Sequence, residues 1–89
     1  MNYPIGSFFR PVGNYDYCLE VVRVVPYEGG SHWTLRRCGM KEGKPFDDGH
    51  KSLFYLRDLA HVLPDVWKEL AHGWSNSMYY RLMRLQHAQ

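Results

Sequence analysis

The sequence predicts an α+β fold, in which a small, strongly bent antiparallel β-sheet or barrel of about three to five strands precedes a C-terminal helical segment. Two observations predict this order. Segments rich in β-branched and aromatic residues, separated by turn-forming residues, fill the chain up to Pro64, and the apolar spacing becomes helical after it. The 89 residues suit a single domain over 1–89, with strands in 5–63 and helices in 64–87.

The first two predicted strands are separated by a turn. Residues 5–10, "IGSFFR", form a short apolar run that ends at Pro11. Residues 15–27 form a second strand in which apolar residues occur at both parities. These are Tyr17, Leu19, Val21 and Val25 on one side and Cys18, Val22 and Val24 on the other. Such a strand is either covered on both faces or bent so that its inner face changes, and bending suits a small closed barrel.

The third predicted strand has a clean alternation. In residues 32–37, "HWTLRR", Trp33 and Leu35 point to one side, and the polar residues between them point to the other. The turn-forming residues 28–31 predict a hairpin with the preceding strand. Residues 39–50 are rich in Gly, Pro, Lys and Asp, which predicts an exposed loop.

The stretch "SLFYLRDLAHVLPDVW", residues 52–67, divides at Pro64. We interpret residues 51–56 as a strand and leave residues 57–63 open between strand and helix. After Pro64 the apolar residues recur at helical spacing. A first helix contains Val66, Trp67, Leu70, Ala71 and Trp74, and a second carries the stripe Met78, Leu82 and Leu85.

The β-rich part of the chain resembles a small Src-homology-3-like barrel of the KOW kind over residues 5–63. The segment "IGSFFRPVGN" corresponds to the opening strand and glycine turn, and "CLEVVRVV" to the long bent second strand. The segments "HWTLRRCG" and "FYLRDLAHV" correspond to the third and closing strands. This is the resemblance that we prefer.

A second resemblance starts a helix near Leu56. The stretch "EGKPFDDGHKSLFYLRDLAHVLPDVWKEL" is then similar to the last strand and long helix of whirly-like coactivators, which bind single-stranded DNA. The loop before the helix reads "HKSLFYL" where that family has a Lys-Gly-Ile-Ser-type stretch. Pro64 would fall inside the helix, which costs about 3 kcal/mol or kinks it.

We expect a cytoplasmic protein. The N-terminus lacks the basic and apolar regions of a signal peptide, and no apolar run approaches the roughly 20 residues of a membrane span. The net charge of +2 permits nucleic-acid binding without requiring it. For Cys18 and Cys38 we favour two reduced, buried thiols and leave open a disulfide between neighbouring strands.

No residue pattern points to catalysis, a metal or another cofactor. The five histidines match no zinc-ligand spacing, and neither cysteine is next to a histidine in sequence. Asp47 and Asp48 are adjacent, which is typical of a turn rather than of paired catalytic carboxylates. We therefore expect a protein that is not an enzyme and has no cofactor.

Nucleic acid is the alternative partner. Small sheets and barrels bind single strands by stacking bases on aromatic side chains while basic groups contact the phosphates. The candidate residues for such a surface are Arg10, Arg23, Arg36, Arg37, Lys41, Lys44, Lys51, Trp33 and Tyr27. For Trp33 the competing interpretation is burial in the core.

Another protein is the preferred partner, either a different chain or a second copy bound through the C-terminal helix. Tyr and Arg are enriched among the residues that dominate binding energy at interfaces. The candidate contact residues are Tyr79, Tyr80, Arg81, Met83 and Arg84. Size and composition also fit the small regulators and inhibitors that phages and other mobile elements encode, which is an analogy only.

Overall fold

A computed structural model describes residues 5–70 and 78–85 of the chain. These residues form seven β-strands. The strands are β1 (Phe8–Pro11), β2 (Tyr17–Tyr27), β3 (Gly30–Lys41), β4 (Lys44–Phe46), β5 (Leu53–Asp58), β6 (Val66–Glu69) and β7 (Tyr79–Arg84).

Six of the strands close into a barrel. The sheet order is β2-β1-β7-β6-β5-β3-β4, and the additional pairing of β2 with β3 joins its two sides. Every pairing is antiparallel. The barrel therefore contains β1, β2, β3, β5, β6 and β7 in ring order, while β4 extends β3 outside the ring. This confirms the predicted barrel, which is consistent with a Src-homology-3-like or OB-like type, although its six strands exceed the three to five that were predicted.

A β-bulge in β2 explains the irregular alternation of its sequence. Val21 pairs with Leu35, but the next partner along β3, Thr34, pairs with Arg23, so that Val22 is the extra residue. A bulge adds one residue to one strand and bends it. Val24 thereby comes opposite the buried Trp33, although its parity differs from that of Val21. The predicted bend and change of inner face are confirmed.

The predicted C-terminal helices are wrong for the described residues, which contain no helix and are all-β in their regular structure. Val66–Glu69 and Tyr79–Arg84 are strands that complete the barrel beyond Pro64. The helical interpretation failed because residues four apart share a face in a strand as well as in a helix. Ala71 and Trp74, which also belonged to the first predicted helix, lie outside the described residues.

The open question at residues 57–63 is resolved by the end of β5. Arg57 and Asp58 are the last residues of that strand, and residues 59–65 form turns that contain Pro64. The turn hydrogen bonds include Val62 N–H to the Leu59 carbonyl, at 2.7 Å. A long helix starting near Leu56 is therefore absent, and the whirly-like interpretation is wrong.

The loop predicted at 39–50 is instead largely a hairpin. β3 continues to Lys41 and β4 returns from Lys44, across a turn formed by Glu42 and Gly43. Both turn residues have positive φ, 54° and 74°, as the two-residue hairpin turn that matches strand twist requires. Lys44 and Pro45 occupy the outer strand β4, and a charge and a proline are residues that protect such an edge from further pairing.

Three aromatic rings fill the centre of the barrel. The Trp67 ring makes edge contacts with Phe9 and Trp33, at centroid distances of 5.6 and 4.8 Å. All three side chains are buried, and Trp67 is only 2% exposed. They come from β1, β3 and β6, which are every second strand of the ring. Each of these strands therefore contributes one ring to a single aromatic layer inside the barrel.

We expect Trp67→Ala to lower the free energy of unfolding by about 3–5 kcal/mol, because it removes the shared contact of the central layer. The matched control is Val62→Ala, at an exposed turn position, which should change it by less than about 0.5 kcal/mol. Urea denaturation followed by tryptophan fluorescence or circular dichroism measures both. Equal losses in the two variants would contradict the assigned position of Trp67.

Candidate binding surfaces

The five C-terminal residues predicted to bind a partner lie on β7, which divides them between two faces. Leu82 is buried in the core, and its neighbours Arg81 and Met83 are exposed. Tyr79 shares the outward parity of these neighbours. Tyr80 shares the inward parity of Leu82, and its hydroxyl donates to a Glu69 carboxylate oxygen at 3.3 Å. Arg84, at the end of the strand, is exposed.

A groove of about 410 Å³ lies beside β7, where the β5–β6 turn approaches it. Its exposed lining includes Val12, Arg81, Met83 and Arg84, and Pro64 comes from the turn. The groove thus contains three of the five predicted partner residues. Its lining carboxylate, Asp65, forms an ion pair of 3.2 Å with Arg81.

The outward face of β7 combines apolar and basic side chains. Met83 is 45% exposed and pairs with Arg10 of β1, which has the same outward parity. The Lys68 Nζ of β6 lies 5.7 Å from the centroid of the exposed Tyr79 ring. We refer to Tyr79, Arg81 and Met83, with Arg10, Lys68 and the groove, as the β7 face.

A second surface lies on the opposite side of the barrel, because β3 is three strands away from β7 in the six-strand ring in either direction. Thr34 of β3 lies between Arg23 of β2 and Tyr55 of β5. The next row along β3 whose side chains point outward is Val25, His32 and Arg57. These six residues and Tyr27 form what we call the β3 face.

The β3 face is concave and carries a stacked aromatic pair. A groove of about 300 Å³ is lined by residues that include Arg23, His32 and Tyr55. The Tyr27 and His32 rings stack with centroids 4.4 Å apart and an interplanar angle of 19°. Tyr27 is 57% exposed, so the outer part of this pair is open to a ligand.

Most residues of the predicted nucleic-acid set are dispersed over the barrel. Trp33 is in the core. The Arg37 guanidinium lies 4.5 Å from the centroid of the Tyr17 ring, and Arg36 forms ion pairs with Glu20 and Asp47, at 3.0 and 3.2 Å.

The remaining cations of that set lie at other places on the barrel. Lys41 and Lys44 lie opposite each other in the β3–β4 hairpin, and Lys51 is in the exposed connection before β5. Arg10 belongs to the β7 face. Arg23 and Tyr27 are the members of the set that belong to the β3 face.

Sequence reasoning missed His32, Tyr55 and Arg57 as parts of one surface. The sequence shows which of these residues share a face of β5, because Tyr55 and Arg57 alternate with Phe54 and Leu56. The sequence does not show the register between β3 and β5, which places His32 opposite Arg57 and Thr34 opposite Tyr55. A correct strand assignment for Arg57 would have supplied part of this signal.

Cys18 and Cys38 face each other directly on β2 and β3, and both are buried and free. Burial raises the pKa of Cys18 to about 12, and the neighbouring Cys38 adds to the effect. Burial also raises the pKa of Cys38, against a lowering influence of Arg36. Since the thiolate is the nucleophilic form, this environment disfavours reactivity of either cysteine.

Among residues 5–70 and 78–85, no three His, Cys, Asp or Glu side chains are close enough to hold a metal ion. His72 and His87 lie outside these ranges. In the same part of the chain, no helix is long and apolar enough to cross a membrane.

Comparison with known proteins gives no match: no protein-family model, curated protein or solved structure is similar to the chain. Its functional interpretation therefore rests on the geometry of the two faces.

We expect the free energy of unfolding to fall as the pH rises above about 8.5, because the unfolded Cys18 ionises there while the folded thiol stays neutral. Above about pH 10 Tyr80 adds to the fall, since burial and the nearby Glu69 carboxylate raise its pKa to about 12. Each group contributes a slope of at most about 1.4 kcal/mol per pH unit. Urea denaturation under reducing conditions across this range measures the fall.

The matched variant is Cys18→Ala, which removes the Cys18 contribution and should make the profile shallower between about pH 8.5 and 10, while Cys38, whose pKa burial also raises, keeps part of the fall. A profile identical to that of the unsubstituted protein would show that Cys18 ionises equally in both states.

Proposed function

We propose that the protein is a small non-enzymatic binding module, and that it binds an extended segment of another protein on the β7 face. The observation that carries this proposal is the groove of about 410 Å³ beside β7, which presents Met83 and Val12 together with Arg81 and Arg84. Met and Arg are enriched at protein interfaces, and a concave site allows an apolar anchor to be desolvated.

The chemistry of the β7 face selects an acidic and apolar partner segment. Arg10, Arg84 and Lys68 are the cations beside the exposed apolar side chains, whereas Arg81 is engaged by Asp65. Complementary charge steers association and suppresses other partners more than it raises affinity. We therefore expect the apolar contacts with Met83 and Val12 to supply the binding energy, and the cations to set the preference for carboxylates.

The partner segment contacts side chains rather than adding a strand. β7 is hydrogen-bonded to β1 on one side and to β6 on the other, so it has no free edge to which an extended peptide could pair. The same arrangement removes the basis for a homodimer through a C-terminal helix, because residues 79–84 form a strand of the barrel.

Two narrower assignments belong to the same proposal. A KOW-type barrel is supported by the short first strand, the long bulged second strand and the antiparallel closure. A role as a regulator or inhibitor, of the kind that phages and mobile elements encode, is supported by the small size of the chain and by its lack of a recognisable catalytic motif.

We expect a displayed library of random peptides of roughly 12 residues to yield binders that combine acidic and apolar residues. Met83→Asp should weaken the selected peptides at least tenfold, or about 1.4 kcal/mol, because it places a carboxylate at the apolar centre of the face. The measurement is isothermal titration calorimetry with the purified variant and one selected peptide.

The matched control is Leu53→Asp, which makes the same kind of change at an outward strand position of similar exposure, 47% against 45% for Met83. It should leave peptide affinity within about twofold, and circular dichroism checks that both variants are folded. A library without enrichment, or peptides that bind Met83→Asp as tightly as the unsubstituted protein, would overturn the assignment of the β7 face.

A further inference from the structure

We propose that the β3 face binds single-stranded nucleic acid, with bases stacked on the aromatic side chains of this face and phosphates held by Arg23 and Arg57. This site is separate from the β7 face and on the opposite side of the barrel. It therefore goes beyond the proposed protein-binding function and stands or fails independently of it.

The β3 face is concave. The register aligns Arg23, Thr34 and Tyr55 in one row and Val25, His32 and Arg57 in the next, across three strands whose side chains at these positions point outward. A groove of about 300 Å³ is lined by all of these residues except Arg57, which lies beside it in the row of His32. This volume is at the lower end of the roughly 300–1,000 Å³ that small-ligand sites occupy, which suits a unit the size of one nucleotide.

The arginines of the described residues differ in their contacts. Arg36 and Arg81 are engaged by carboxylates of the protein, and Arg37 lies against the Tyr17 ring. Within residues 5–70 and 78–85, Arg23 and Arg57 form no ion pair. Two guanidinium groups in neighbouring rows of one face therefore remain available for phosphate, which Arg binds well because of its planar fork of donors.

The β3 face also exposes aromatic rings. Tyr27 and His32 already stack at 4.4 Å, and Tyr55 is 42% exposed on the other side of β3. Bases stack on such rings without regard to sequence, because every base has a π-face. A duplex hides these faces within its own stack, so the site should prefer single strands.

The carboxylates near the site refine the prediction. Glu28 is in the exposed turn next to Tyr27, whereas the Asp58 carboxylate accepts the Ala60 N–H at 2.9 Å. Glu28 is thus the acidic group expected to repel a phosphate at the Tyr27 end of the face. Glu28→Gln should strengthen binding at low salt, and weaker binding in this variant would contradict the placement of the strand.

The test uses fluorescence anisotropy with labelled single-stranded DNA and RNA of roughly 12 nucleotides at low salt. We expect binding that weakens steeply as salt rises. Arg23→Ala/Arg57→Ala should weaken it at least tenfold. The control Lys41→Ala/Lys44→Ala removes the same charge from the β3–β4 hairpin. Compared at about 0.15 M salt, where the Debye length is about 8 Å, it should weaken binding by less than about threefold.

Three results would overturn the proposal. The first is no anisotropy change with either oligonucleotide at low salt. The second is an equal loss of oligonucleotide affinity in the two double variants, which would show attraction by net charge alone. The third is competition by a duplex as strong as that by an unlabelled single strand, which would exclude stacking. Met83→Asp should leave oligonucleotide binding within about twofold, and Arg23→Ala/Arg57→Ala should leave peptide binding equally unchanged. These two cross-checks distinguish failure of the proposed nucleic-acid site from failure of the proposed peptide site.

Discussion

The edge contacts of Trp67 with Phe9 and Trp33 hold together strands that do not pair with one another. A chain of this size buries only about 60–65% of the surface that its unfolded state exposes, so it depends on a few large side chains. Because β1, β3 and β6 alternate around the ring, this aromatic layer supports every second strand from the inside. The hydrogen-bonded closure of the barrel and the position of β7 between β1 and β6 both depend on it.

Closure determines where function can lie. Leu35, Leu56 and Leu82 fill the interior with the central rings, so the groups that remain for recognition point outward. The outward positions around β7 collect apolar and basic side chains, and those around β3 collect aromatic rings and two arginines without ion pairs in the described chain. Since the two faces are opposite, a protein segment and a nucleic acid could be bound at the same time.

Part of this architecture was predictable from local pattern. The β2–β3 hairpin, the bend in β2 and the burial of Trp33 follow from alternation and from the turn residues at 28–31. The C-terminal strands were not predictable, because the spacing of Met78 and Leu82 fits both periods and the state of Trp67 is decided by Phe9 and Trp33, which are distant in sequence. The two faces depend on the strand register, which the sequence alone does not give: the predicted cations separate, and His32, Tyr55 and Arg57 come together.

Both binding faces require that Val66–Glu69 and Tyr79–Arg84 are strands of a closed barrel. Nuclear magnetic resonance of the isotope-labelled protein tests this directly through carbon chemical shifts and cross-strand nuclear Overhauser effects. We expect strand-type shifts in both segments and cross-strand effects that join Phe9 to Arg84 and Trp67 to Tyr80. Helical shifts at Val66–Glu69, with no effects between β1 and β7, would contradict the closed barrel and with it both binding faces.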